Sequence, residues 1–117
     1  MTPLSDDREG LGNDLLRGTL ELLIMRVLAG GPLHGWAIAQ RIENESRSAL
    51  RVNQGSLYPA LHRLEGRELL DTSWSITENG RRVKTYQLSA AGRRQLTRET
   101  RRWLDYSDAV RLVLKIG

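Results

Sequence analysis

The sequence predicts a mainly α-helical fold carrying one small β-hairpin. Two observations predict it. Apolar residues recur at helical spacing in four stretches, and Asn79-Gly80, the strongest short-range hairpin signal, joins two extended arms. A third fixes the scale: 117 residues without internal repeat or interdomain linker fit one domain with a modest core.

Residues 1–13 are polar and mildly acidic, with Asp6, Asp7 and Glu9 against Arg8, and read as a flexible tail. Asp14 can cap a first helix running to about Ala29. Its stripe is Leu16, Leu20, Leu23, Ile24, Val27 and Leu28, and Gly30-Gly31-Pro32 ends it. A second helix starts near Gly35 and runs to about Ser46, with Trp36, Ile38, Ala39 and Ile42 as its expected buried face. A link, Arg47 to Val52, follows. Asn53 can cap a third helix, on which Leu57, Leu61 and Leu64 share one face. Its opposite face offers Gln54, Tyr58, His62 and Arg63. Pro59 removes the hydrogen bond to the Gly55 carbonyl, so a slightly distorted first turn is expected.

The hairpin arms are Leu69 to Thr77 and Arg82 to Leu88. Ser89 can cap a last, long helix to about Lys115. Along it Leu96, Thr100, Trp103, Ser107, Val110 and Leu114 step by four and three, a seam that wants a partner helix. Two helices joined by a short link and followed by a basic hairpin make the layout of a winged helix-turn-helix. That unit would span 14–88, with 89–117 a C-terminal dimerisation helix. In such a layout the third helix enters the DNA major groove, and the hairpin lies along the backbone or the adjacent minor groove.

Charge supports this reading. The net charge is +4, and from Asn79 to Arg102 eight bases face a single acid, Glu99. Sixteen of the eighteen bases are arginine, the better bidentate ligand for phosphate and guanine. A solvated helix face remains the alternative for the arginines of the last helix.

The absence of cysteine excludes disulfides, zinc–cysteine sites and thiol catalysis. With no secretory signal and no apolar run of about 20 residues, the chain reads as cytoplasmic and not membrane-bound. An enzyme would need a nucleophile with a base, a metal cluster or a phosphate loop. Gly30-Gly31-Pro32 is no phosphate cradle, because no strand precedes it and Pro32 lacks an N–H. His62 and Glu65 stand three apart, but the only other histidine is His34 on a different helix, so no metal site and no cofactor are expected.

Four segments resemble the PadR family of bacterial transcriptional regulators. They are Leu16-Arg17-Gly18-Thr19-Leu20; Pro32-Leu33-His34-Gly35-Trp36-Ala37-Ile38; the run from Asn53 to Glu65 with Gly55-Ser56-Leu57-Tyr58-Pro59 inside it; and Arg81 through Gly92. Trp36 departs from the tyrosine usual in the family. The resemblance implies a repressor that binds an inverted-repeat operator as a homodimer. It implies dimerisation through the last helix packing on the first, with Leu16, Leu20, Leu96, Trp103, Val110 and Leu114 in the interface. It also implies that Trp103 could stack a small aromatic effector, as a tryptophan does in a multidrug-binding relative.

The candidate DNA residues each have a plainer role beside the functional one. Asn53, Gln54 and Ser56 stand where amides and hydroxyls read base edges or hold phosphates, though Asn53 and Ser56 are also ordinary capping residues. Tyr58 suits a phosphate, base or sugar contact, or packing on the wing. His62 and Arg63 come one turn later, Arg63 suiting a phosphate. On the wing, Arg81, Arg82 and Lys84 suit the DNA backbone; Arg82 and Lys84 share a face that on a free hairpin would be a solvated edge. Tyr86, Trp74 and Trp36 read as packing residues. Two other classes stay open: a basic winged helix that binds RNA or nucleoid DNA without reading sequence, and a pure protein-interaction winged helix.

Overall fold

The computed structural model describes residues 18–117. Helix α1 covers 18–28 of them; the proposed Asp14 cap and Leu16 lie outside the described residues. Then come β1 (Leu33–His34), α2 (Gly35–Glu45), α3 (Gln54–Gly66), β2 (Leu70–Ile76), β3 (Arg82–Leu88) and α4 (Ala90–Leu114). The mainly helical fold with a hairpin wing holds. The sheet, however, has three antiparallel strands in the order β1-β3-β2. The extra strand is two residues long, pairing Leu33 with Tyr86 and His34 with Thr85. It is too short to show alternation, which is why periodicity misses it.

One core joins the elements. Leu20, Ile24 and Leu28 of α1 meet Ile38 and Ile42 of α2, Leu57, Leu61 and Leu64 of α3, and Leu70, Tyr86 and Leu88 of the sheet. The buried stripe of α2 runs through Gly35, Ile38 and Ile42. Trp36 lies about a quarter turn from that stripe and is 59% exposed, so its expected place on the buried face is corrected. Pro59 sits in the second turn of α3, yet the helix runs on to Gly66. Gly55 and Pro59 are both exposed, so water can take the carbonyl that Pro59 leaves without a donor.

The turn between α2 and α3 is built without glycine. Arg47 and Ser48 take left-handed backbone at φ 54 and 64. Ser46 holds the turn: its hydroxyl donates to the Glu43 carbonyl at 3.1 Å and accepts from the Leu50 N–H at 3.0 Å.

The hairpin turn differs from a two-residue Asn-Gly turn. Thr77 N donates to the Arg81 carbonyl, and Gly80 N donates to the Thr77 carbonyl, each at 2.9 Å. The loop is therefore Glu78-Asn79-Gly80, with Gly80 left-handed at φ 79. This is the three-residue form, a turn followed by a glycine bulge.

Ser89 anchors α4. Its hydroxyl donates to the Glu68 carbonyl at 2.9 Å and accepts from Gly92 N at 3.0 Å. Within α4 only Gly92 and Leu96 are buried. No helix among the described residues is long and apolar enough to cross a membrane.

Candidate nucleic-acid interface

Helix α3 presents its N-terminal turn outward. Asn53 caps it, accepting from Ser56 N at 2.8 Å, so that side-chain oxygen is already engaged. Gln54, Ser56 and His62 are exposed, and none has a side-chain partner among the described residues. Tyr58 is 43% exposed, and its ring lies against Gly35 at the start of α2. A Cβ on Gly35 would come within 2.8 Å of the Tyr58 hydroxyl oxygen. The glycine is thus the floor on which the tyrosine rests.

Two expected DNA ligands also have acidic partners within the chain. Arg63 donates from Nε to Glu21 Oε2 of α1 at 2.9 Å, and Arg67 stands 3.6 Å from the other oxygen of that carboxylate. Lys84 donates from Nζ to Glu65 Oε1 of α3 at 2.8 Å. That hydrogen bond raises the Lys84 pKa above its ordinary 10.5, against a smaller opposing effect of burial. Burial raises the phenol of the neighbouring Tyr86 above 10.0. The bond ties β3 of the wing to α3. Spacing could not reveal it, because the partners are 19 and 42 residues apart.

Arg81 and Arg82 have no acidic partner among the described residues. The Arg82 guanidinium lies 4.5 Å above the centre of the Trp74 ring, which is 57% exposed and not a packing residue. Tyr86 is buried, as expected. Sequence reasoning passed over Arg51, whose exposed guanidinium stands two residues before the α3 cap and 4.0 Å from Glu43. A base just ahead of a capping asparagine was the available signal. His34 places Nδ1 3.3 Å from Thr85 Oγ1, bracing β1 against β3.

The dimer residues divide. Leu20 and Leu96 are no more than 9% exposed in the single chain, so they belong to its own core and are removed from the expected interface. Trp103, Val110 and Leu114 are bare. With Tyr106 and Val113 they form one stripe at helical spacing, while Arg94, Arg98 and Arg101 lie on the opposite side of α4. Those arginines are a solvated face.

The Transcriptional regulator PadR-like family matches residues 24–98. The chain belongs to this family. A transcriptional regulator of Mycobacterium tuberculosis is 36% identical over 85 residues, covering 73% of this chain and 76% of its own. The crystal structure of a PadR family transcriptional regulator from Eggerthella lenta superposes with a TM-score of 0.78 at 26% identity, covering 97% of this chain and 94% of that one. A PadR-like transcription factor from Bacteroides fragilis gives 0.71 at 30% identity, covering 89% and 98%. PadR proteins are transcriptional regulators and not enzymes. The PadR match takes in α2, α3, the wing and the docked start of α4 and stops two residues past Leu96, so the bare stripe lies beyond it.

Proposed function

We propose that the chain represses transcription by binding an inverted-repeat operator in duplex DNA as a homodimer. The observation that carries this reading is the pairing of two free surfaces. The N-terminal face of α3 keeps Gln54, Ser56, Tyr58 and His62 exposed, and the adjoining wing keeps Arg81 and Arg82 without acidic partners among the described residues. Amides and hydroxyls at groove depth read base edges, whereas cations on the wing meet phosphates. Residues 14–88 form the DNA-binding unit, and 89–117 joins two copies. The two α3 helices then enter successive major grooves roughly 34 Å apart. Trp103, at the joint, is where a flat aromatic effector would stack; quenching of tryptophan fluorescence that Trp103→Phe abolishes is its test.

The decisive experiment titrates Arg81→Ala and Gln54→Ala on an operator selected from a random duplex pool and on a scrambled duplex, at several salt concentrations. Losing a phosphate contact weakens both duplexes alike and lowers the slope of log affinity against log salt by about one unit. Losing a base contact costs about 1–3 kcal/mol on the operator and little on scrambled DNA. Equal affinity of the wild type for both duplexes would replace this reading with non-specific nucleic-acid binding.

A further inference from the structure

We propose that the Trp74–Arg82 pair makes the wing a reader of minor-groove width, favouring narrow, A/T-rich DNA beside the half-site. Arg82 occupies the groove, and Trp74 is its positioning residue. The inference rests on the DNA-binding reading above.

The strand register puts Leu70 opposite Leu88, Thr72 opposite Tyr86, Trp74 opposite Lys84 and Ile76 opposite Arg82, all on one face of the hairpin. On the inner half of this face Leu70, Tyr86 and Leu88 are buried, while Thr72 is exposed. Lys84 closes that half by its bond to Glu65 on the recognition helix. Beyond Lys84 the same face runs clear of the body, with Ile76 73% exposed and Trp74 nearly as bare. A merely solvated wing needs neither side chain there. Both are apolar surfaces suited to the C–H-rich sugar walls of a groove.

Charge narrows the partner. Lys84 is offset by Glu65, so Arg82 is the cation on this face with no acidic partner among the described residues. Stacked on the indole, the guanidinium is held through its flat side and keeps its in-plane N–H donors free. The stack also restrains a side chain that otherwise carries about 2 kcal/mol of rotamer entropy. A narrow A-tract minor groove concentrates negative potential and offers acceptors along its floor. A G·C pair places the guanine amino donor there, opposite a side chain that has only donors.

The test places one selected operator core between A/T, G/C or inosine·cytosine flanks. Inosine lacks the guanine amino group, so its minor groove resembles A·T while its major groove resembles G·C. The wild type binds the A/T and inosine·cytosine duplexes alike and both roughly 10-fold more tightly than the G/C duplex. Trp74→Ala brings that ratio near one, while Trp74→Phe, which keeps an aromatic face, retains most of the ratio. Circular dichroism melts check that the variants fold. Flank-indifferent wild-type binding, discrimination against inosine·cytosine as strong as against G·C, or an unchanged ratio in Trp74→Ala would overturn this inference and leave DNA binding standing. Absence of salt-dependent binding to any duplex would overturn both.

Discussion

Glu68 holds a left-handed backbone, φ 61, where a helix terminator usually has glycine. The motif around it is complete: Leu69 N donates to the Leu64 carbonyl at 3.0 Å and Glu68 N to the Glu65 carbonyl at 2.9 Å. Only the side chain is strained, so Glu68→Gly should raise stability by about 0.5–1 kcal/mol in urea titration, after the larger backbone entropy of unfolded glycine is deducted. Gly92 is the opposite case. A Cβ there would fall on the Leu69 carbonyl oxygen and the Leu88 side chain, and a backbone carbonyl cannot step aside cheaply. Gly92→Ala should cost about 1–3 kcal/mol by the same titration, and an unchanged midpoint would mean that α4 docks differently. The caps at Asn53 and Ser89 were legible, because capping depends on residue type next to an apolar run. Left-handed Arg47, Ser48 and Glu68 were not, since nothing in a non-glycine side chain announces that backbone.

At the scale of elements, α3 and the wing act as one piece because Lys84 and Glu65 lock them. Both Lys84 and its neighbour Tyr86 have pKa values raised in the folded chain. A raised value means that the fold holds the proton more tightly than the unfolded chain does. The stabilisation is therefore complete at neutral pH and is lost as pH climbs past about 10. Thermal midpoints measured from pH 8 to 11.5 should fall over that window, and less steeply in Glu65→Gln, which removes the carboxylate charge that helps Lys84 hold its proton. At pH 7 a double-mutant cycle of Lys84→Met and Glu65→Gln should return a coupling of about 1 kcal/mol. A coupling near zero would leave the wing free to swing. The elements themselves were largely readable: three helical stripes and an Asn-Gly turn suffice for the winged layout. What escaped were features set by tertiary contact. They are β1, which exists only because β3 lies beside it, and the lateral placement of Trp36 and Trp74, whose hydrophobicity suggested burial that their faces do not meet.

The molecule as a whole leaves one surface unexplained by its own fold. After Leu96, helix α4 continues for eighteen residues to Leu114 without burying another side chain. Trp103 remains 44% exposed, and Tyr106, Val110, Val113 and Leu114 extend its stripe. Soluble monomers rarely leave so continuous an apolar stripe to water. The seam was visible in the sequence as steps of four and three, although Leu96, its first member, is buried in the chain's own core, as is Leu20 of α1, which the resemblance had placed in the interface. A second copy of the chain is the proposed cover. Trp103→Asp places a charge in the middle of the stripe and should turn a dimer into a monomer by sedimentation equilibrium at micromolar concentration. Operator affinity should fall with it by on the order of 100-fold, because each half-site then binds alone. Leu112→Asp supplies the control. Leu112 is 78% exposed and stands on the side of α4 opposite the stripe. It should leave the dimer and operator binding intact. If both substitutions dissociate the dimer equally, the stripe is not the interface; if the wild type is itself monomeric, the two-half-site operator goes with it.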